Sequence, residues 1–149
     1  MRKIFAFLLL IAVFSLCVLS VSFAQEKSIV GKWKTIDDET NEPKSIVQIY
    51  EKDGLYFGQI TELFRKPGED PDPVCDKCPK DDVRKDQPIK GMVILKDLVQ
   101  DGDKYKDGTI LDPKKGKIYN CKVWIEGGEL KLRGYIAFLF RTQTWLRVE

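Results

Sequence analysis

The sequence predicts an all-β fold: a single antiparallel barrel of about eight strands with one long proline-rich loop. Short apolar segments alternate with turns rich in Gly, Asp and Pro from about residue 29 onward. Within several segments, apolar residues recur at every second position, which is the pattern of a strand with one buried face. A run of hairpin-connected strands has two exposed edges, and pairing the first strand with the last removes both. The even spacing of about eight segments therefore favours a barrel.

The predicted strands, in order, are residues 29–36, 44–52, 55–64, 89–95, 104–111, 117–125, 129–138 and 141–148. Asp53-Gly54 and Gly127-Gly128 are typical two-residue hairpin turns between apolar segments. Residues 65–88 contain five prolines and are expected to form an irregular loop. A short helix over residues 92–98 is the one competing element in an otherwise β pattern.

The first 24 residues have the order of a secretory signal peptide. Met1-Arg2-Lys3 gives a positive start, an apolar stretch follows, and Ser22-Phe23-Ala24 supplies small residues for a cleavage after Ala24. We therefore expect a signal peptide over residues 1–24 and one exported, periplasmic β-barrel domain over residues 25–149. A retained membrane anchor is the alternative, because the apolar stretch is long enough to span a bilayer.

The composition excludes several classes of function. The chain has 25 basic and 23 acidic residues and no histidine. Without Arg2 and Lys3 the two signs balance at 23 each, so the sequence indicates no basic face for nucleic acid. The lack of histidine excludes the usual Ser-His-Asp and Cys-His catalytic arrangements. We find no phosphate-cradling motif, expect no cofactor, and expect no membrane span after the leader.

Cysteines give the most conspicuous motif, Cys75-Asp76-Lys77-Cys78. In an oxidising compartment a structural disulfide between Cys75 and Cys78 is the simplest interpretation. A redox-active dithiol and a metal half-site are the alternatives, although a zinc site needs four ligands and Cys121 would supply only a third. Cys121 alternates onto an apolar strand face, so we expect a buried core residue there and no metal site.

Acidic residues cluster in the predicted loops without forming a known site. The run from Asp101 lacks the glycine and the distal glutamate of a calcium-binding loop, so solvated loop charge is the simpler interpretation. Asp37 and Asp38 follow the first strand and are candidates for the mouth of the barrel, where paired carboxylates could carry out acid-base chemistry. A polar turn is the simpler interpretation of these two residues.

The two ends of the predicted barrel resemble those of lipocalins and other calycins. Gly31-Lys32-Trp33 lies on the first strand, and Arg141 and Trp145 lie on the last. In those families an arginine of the last strand packs over the tryptophan of a Gly-x-Trp motif at the closed end. The resemblance implies that Arg141 covers Trp33.

A more specific resemblance extends over residues 30 to 147. The chain resembles a family of exported bacterial proteins known as domain of unknown function 2147, although Phe140 stands where that family usually has a glycine before its final arginine. The resemblance implies a lipocalin-like barrel and no particular reaction. The residues that carry it are Gly31-Lys32-Trp33, Lys44-Ser45-Ile46-Val47, Tyr50, Val74-Cys75-Asp76-Lys77-Cys78, Asp86-Gln87-Pro88-Ile89, Gly91-Met92, Ile110-Leu111-Asp112-Pro113, Gly116-Lys117, Tyr119, Leu132-Arg133-Gly134-Tyr135 and Arg141-Thr142-Gln143-Thr144-Trp145.

Three functional hypotheses follow from these patterns. The first is a binding module that holds a small, partly apolar or amphiphilic ligand, because eight strands enclose room for side chains or one small ligand. The second is a non-catalytic envelope interaction or structural protein with a filled core, which uses the 65–88 loop as its contact surface. The third, and least favoured, is an enzyme built on carboxylates or on the Cys-x-x-Cys pair. The candidate ligand-binding residues are Trp33, Arg133, Tyr135, Arg141 and Trp145.

Overall fold

The computed structural model describes residues 28–149. The predicted signal peptide and its cleavage after Ala24 therefore lie outside the described residues. Within residues 28–149 the structure contains no helix of the length and apolar character needed to span a membrane.

Eight antiparallel strands form a closed barrel in which each strand pairs with its neighbours in sequence and β1 pairs with β8. The fold class predicted from the alternation is therefore confirmed. The strands are β1 (Gly31–Ile36), β2 (Pro43–Lys52), β3 (Leu55–Leu63), β4 (Val93–Asp101), β5 (Lys104–Asp112), β6 (Lys117–Glu126), β7 (Glu129–Ile136) and β8 (Leu139–Val148).

The fourth strand begins later than predicted, at Val93 instead of Ile89. Residues 89–92 form a turn in which the Gly91 amide donates to the Ile60 carbonyl at 2.7 Å, and Gly91 has a φ of 87°. The competing helix over residues 92–98 does not form, because β4 begins at Val93 and covers the rest of this segment. Asp97 has a φ of 60°, at an irregularity in β4 that lets both Leu95 and Leu98 point inward. Two buried residues three positions apart give the same sequence pattern as one face of a helix.

The barrel is closed at the end where the chain enters β1 and leaves β8. Trp33 is fully buried there, and its indole nitrogen donates to the Ile29 carbonyl at 2.7 Å. The Arg147 guanidinium lies 4.2 Å from the centre of the Trp33 ring and donates to the Ser28 carbonyl at 2.7 Å. The expectation that Arg141 covers Trp33 is therefore wrong. Arg141 lies six residues earlier on the same strand, at the opposite end of the barrel.

Side chains fill the closed half of the barrel. Tyr56 and Tyr105 pack edge to face with ring centres 4.7 Å apart, and the Tyr56 hydroxyl donates to Gln100 at 3.1 Å. Fully buried aliphatic residues occupy the space around them. These include Ile49, Leu98, Val123 and Leu130.

The long loop between β3 and β4 is held by a small internal hairpin and by a buried ion pair. The Cys75 amide donates to the Gln87 carbonyl and the Asp86 amide donates back to the Cys75 carbonyl, at 2.9 and 3.0 Å. Arg84 makes a two-pronged contact with the Asp82 carboxylate, at 2.9 and 2.6 Å, and reaches the Val93 carbonyl at 3.1 Å. These contacts fix the loop to the start of β4.

Replacing Arg147 with alanine should destabilise the fold more than replacing Arg141. Both side chains are exposed, but Arg147→Ala removes the cation–π contact with Trp33 and the bond to the Ser28 carbonyl, which together are worth about 1–2 kcal/mol. Arg141 is about half exposed, so Arg141→Ala should cost less than about 1 kcal/mol. Urea denaturation of both variants measures the difference, and equal losses would contradict the assignment of Arg147 as the closing residue.

The Asp82–Arg84 pair should make stability depend on pH in acid. The hydrogen bonds from Arg84 lower the pKa of Asp82 from 3.8 to about 2. Because the folded pKa lies below the unfolded one, this stabilisation is present above about pH 4 and is lost as the pH falls toward about 2. Asp82→Asn should lower the free energy of unfolding at neutral pH by about 2 kcal/mol and flatten this acid dependence.

Asp81→Asn, an exposed neighbour in the same loop, is the matched control. Urea denaturation across the acid range measures both variants. An Asp82→Asn protein whose stability falls as steeply in acid as that of the parent would show that this pair is not responsible.

Candidate functional site

A cavity of ≈ 300 Å³ opens at the end of the barrel opposite Trp33. We call this end the mouth. It is formed by the end of β1, the start of β2, the junction of β5 with β6, and the hairpin between β7 and β8. The volume lies at the lower end of the range of about 300–1,000 Å³ typical of pockets that hold small molecules.

The wall of the cavity is apolar because successive strands turn aliphatic side chains inward at every second position. On β7, for example, Leu132, Gly134 and Ile136 face the cavity. At Gly134 a Cβ would fit, in ordinary van der Waals contact with Tyr119 at 3.7 Å, so the glycine leaves room for a methyl-sized group. The other apolar side chains of the wall include Ile60, Ile94, Ile110, Leu111 and Trp145.

Three polar side chains lie within this apolar wall. The hydroxyls of Thr35 and Ser45 are buried and hydrogen-bonded to each other at 2.7 Å, which joins β1 to β2. The Gln143 amide carbonyl accepts from the Trp145 indole nitrogen at 3.4 Å. The polar groups of this part of the wall therefore already have partners inside the barrel.

The rim contains an ion pair that crosses from the β1–β2 turn to β8. The Arg141 guanidinium lies 2.7 Å from the Asp38 carboxylate, which also accepts from the Gln143 amide nitrogen at 3.0 Å. Together with Trp145, these residues form a continuous hydrogen-bonded path from the rim down one side of the cavity.

The other two aspartates of the rim are engaged by their own turns. Asp37 accepts from the backbone amides of Glu39 and Thr40, both at 3.0 Å, and these bonds lower the pKa of its carboxyl. Asp112 accepts from the backbone amide of Lys114 at 3.0 Å. Their charges are therefore already partly compensated by backbone donors.

The lysines of the rim have no carboxylate within ion-pair distance in the part of the chain that the structure describes. Lys44, Lys114 and Lys115 line the cavity, and none of them takes part in an ion pair within residues 28–149. The mouth therefore combines an apolar interior with ammonium groups that can bind an external anion.

The proline-rich loop supports the turn that carries two of these lysines. Gly116 ends that turn with a φ of 65°, and a Cβ there would lie 1.7 Å from the Lys77 carbonyl oxygen. The Cys75 sulfur also approaches the Pro113 carbonyl at 3.7 Å. The loop thus packs directly against the back of the lysine turn.

The cysteines are structural in this arrangement. Cys75 and Cys78 form a disulfide, as the simplest interpretation predicted, and both are buried within the loop. Cys121 is a free, buried core residue, and burial raises the pKa of its thiol to about 12.

The sequence-predicted site residues divide between three places. Arg141 and Trp145 line the mouth cavity, whereas Trp33 belongs to the closed end. Arg133 and Tyr135 lie on the outer face of the barrel and do not line the cavity. There Arg133 packs 5.3 Å from the Trp124 ring and 4.3 Å from the Phe140 ring.

Sequence reasoning missed the rim lysines and Gln143. Lys114 and Lys115 occupy a polar turn, and such a turn has the same sequence pattern at either end of a barrel. Asp37 and Asp38, which the sequence offered only as candidates for the mouth, do lie there, within a polar turn.

The comparisons with known proteins agree with this fold. A family model described as "uncharacterized protein conserved in bacteria (DUF2147)" matches residues 31–147. No curated protein matches the chain. Among solved structures, HP1028 from the human pathogen Helicobacter pylori, described as belonging to the lipocalin family, is similar with a TM-score of 0.69. Sequence identity is 23%, over 82% of this chain and 84% of that chain, so the likeness concerns the fold alone.

Proposed function

The chain belongs to the bacterial family DUF2147, and we propose that it binds a small, partly apolar, acidic ligand in the mouth of its lipocalin-like barrel. The observation that carries the proposal is the composition of the mouth. An apolar cavity of ≈ 300 Å³ lies beneath lysines that have no carboxylate partner within the described residues. An amphiphile with one short apolar part and a carboxylate, sulfonate or phosphate group matches both features.

The unequal filling of the barrel supports binding over a purely structural role. The filled-core alternative requires side chains to occupy the whole interior. Here they occupy the closed half, and the mouth half keeps a cavity of ≈ 300 Å³. A pre-formed cavity with a few convergent polar groups is the usual form of a small-molecule site.

Export is part of the same proposal. Residues 1–24 have the order of a signal peptide, and a Cys75–Cys78 disulfide is typical of an oxidising compartment such as the bacterial periplasm. A small carrier in that compartment would meet amphiphilic ligands on their way to or from the envelope.

Two fluorescent probes test the proposal because they differ only in an acidic group. 8-Anilinonaphthalene-1-sulfonate carries a sulfonate, and N-phenyl-1-naphthylamine has the same ring systems without it. We expect both to bind, and we expect Lys114→Ala combined with Lys115→Ala to weaken the sulfonated probe by about 3–10-fold. Binding of the uncharged probe should change less than about twofold, since it makes no ionic contact.

Gly134→Val tests whether the probes occupy the cavity. Valine at this strand position should fill the space without lowering the unfolding midpoint, because a glycine within a strand is itself unfavourable. Both probes should then be displaced. Lys52→Ala combined with Lys104→Ala, at the closed end, is the matched control for the removal of two positive charges. Phe138→Ser is the control for the replacement of an exposed apolar side chain. Unchanged binding by a folded Gly134→Val protein would refute the cavity as the site.

A further inference from the structure

The hairpin between β7 and β8 exposes a group of large apolar side chains beside the mouth. Phe138 is 91% exposed at the turn, and Ile136, Leu139 and Phe140 around it are each more than half exposed. We call residues 136–140 the apolar tip. Soluble proteins commonly expose single apolar residues, but a contiguous exposed group marks an interaction surface.

The turn within the apolar tip differs from the other short turns of the same barrel. The closed end has three two-residue turns, at residues 53–54, 102–103 and 127–128. They consist only of glycine and aspartate, which such turns favour. At the mouth the corresponding residues are Ala137 and Phe138, and Ala137 adopts a φ of 51°. Among the two-residue turns of the described barrel, the one that borders the cavity is therefore apolar, despite an unfavourable backbone conformation.

Basic side chains surround the apolar tip. Arg141 and the rim lysines lie on its cavity side, and Arg133 packs 4.3 Å from the Phe140 ring on its outer side, with Lys122 nearby on Tyr135. The long loop at the same end adds no net charge, since residues 64–92 contain seven basic and seven acidic residues. The rim aspartates are engaged by their turns or by Arg141, and Glu39 is the remaining carboxylate of the rim.

We propose that the apolar tip docks the mouth of the barrel onto a lipid surface that contains anionic lipids. Phe138 and Leu139 would insert at the boundary between headgroups and acyl chains, and the surrounding basic residues would contact anionic headgroups. A protein partner fits this surface less well, because a stable protein interface involves about 20–30 residues a side. The docking does not require a ligand in the cavity, so it goes beyond the proposed function.

Vesicle flotation tests the proposal. The protein is expressed with its full sequence and purified from the envelope of the expressing cell, and its N-terminus is read from the intact mass, so that all variants share it. The vesicles contain either phosphatidylcholine alone or phosphatidylcholine with phosphatidylglycerol at 7:3. We expect the parent to float with the mixed vesicles, and Phe138→Ser to reduce its partition by about tenfold.

Matched variants separate the contributions of the tip from general effects. Val99→Ser removes an exposed valine on β4, near the closed end, and should leave flotation unchanged. Lys114→Glu combined with Lys115→Glu should abolish the preference for phosphatidylglycerol, whereas Lys52→Glu combined with Lys104→Glu should keep it. Gly134→Val should float like the parent, so a failure of ligand binding in the cavity leaves this test intact.

Three results would overturn the proposal. The first is equal flotation of the parent and Phe138→Ser. The second is a loss of flotation in Gly134→Val, which would show that membrane binding depends on the cavity. The third is self-association of the parent in sedimentation velocity without vesicles that Phe138→Ser abolishes, since the tip would then be an interface between two copies of the chain.

Discussion

The contact between Trp33 and Arg147 joins the first strand of the barrel to the last, and the remaining arrangement depends on it. β1 and β8 are far apart in sequence, so their pairing must overcome the entropy of closing most of the chain into a ring. The indole of Trp33 fills the closed end, and the guanidinium above it binds the backbone of the segment that enters β1. With this contact in place, neither strand is left with an unpaired edge.

Closure at one end determines where space remains at the other. The large side chains of Trp33, Tyr56 and Tyr105 fill the closed half, so the interior that they leave lies at the mouth. Elements far apart in sequence then complete the mouth. The disulfide loop supports the turn that bears Lys114 and Lys115, and the β1–β2 turn reaches Arg141 through Asp38. The apolar tip lies at this end as well, so ligand entry and any contact with a surface would occur at one face of the molecule.

Much of the fold could be predicted from the sequence, since strand alternation and two-residue turns are local signals. The start of β4 could not, because the turn at residues 89–92 is held by a bond from Gly91 to β3, which is a tertiary contact. The site was harder to predict. Arg141 and Arg147 lie on the same face of β8, six residues apart, and the sequence does not show which end of a strand is closed. The alternation along β7 did predict that Arg133 and Tyr135 point outward, because it places them on the face opposite the buried Leu130 and Leu132.

The proposed function depends on a small amphiphilic ligand that occupies the mouth cavity. Native mass spectrometry of the protein purified from the envelope of an expressing cell, alongside its denatured mass, tests for that ligand. We expect a native mass that exceeds the denatured mass by a defined small-molecule increment, and no increment for Gly134→Val prepared in parallel. Identical native and denatured masses, repeated after incubation with an envelope lipid extract, would contradict the claim and favour an interaction protein whose mouth remains without a ligand.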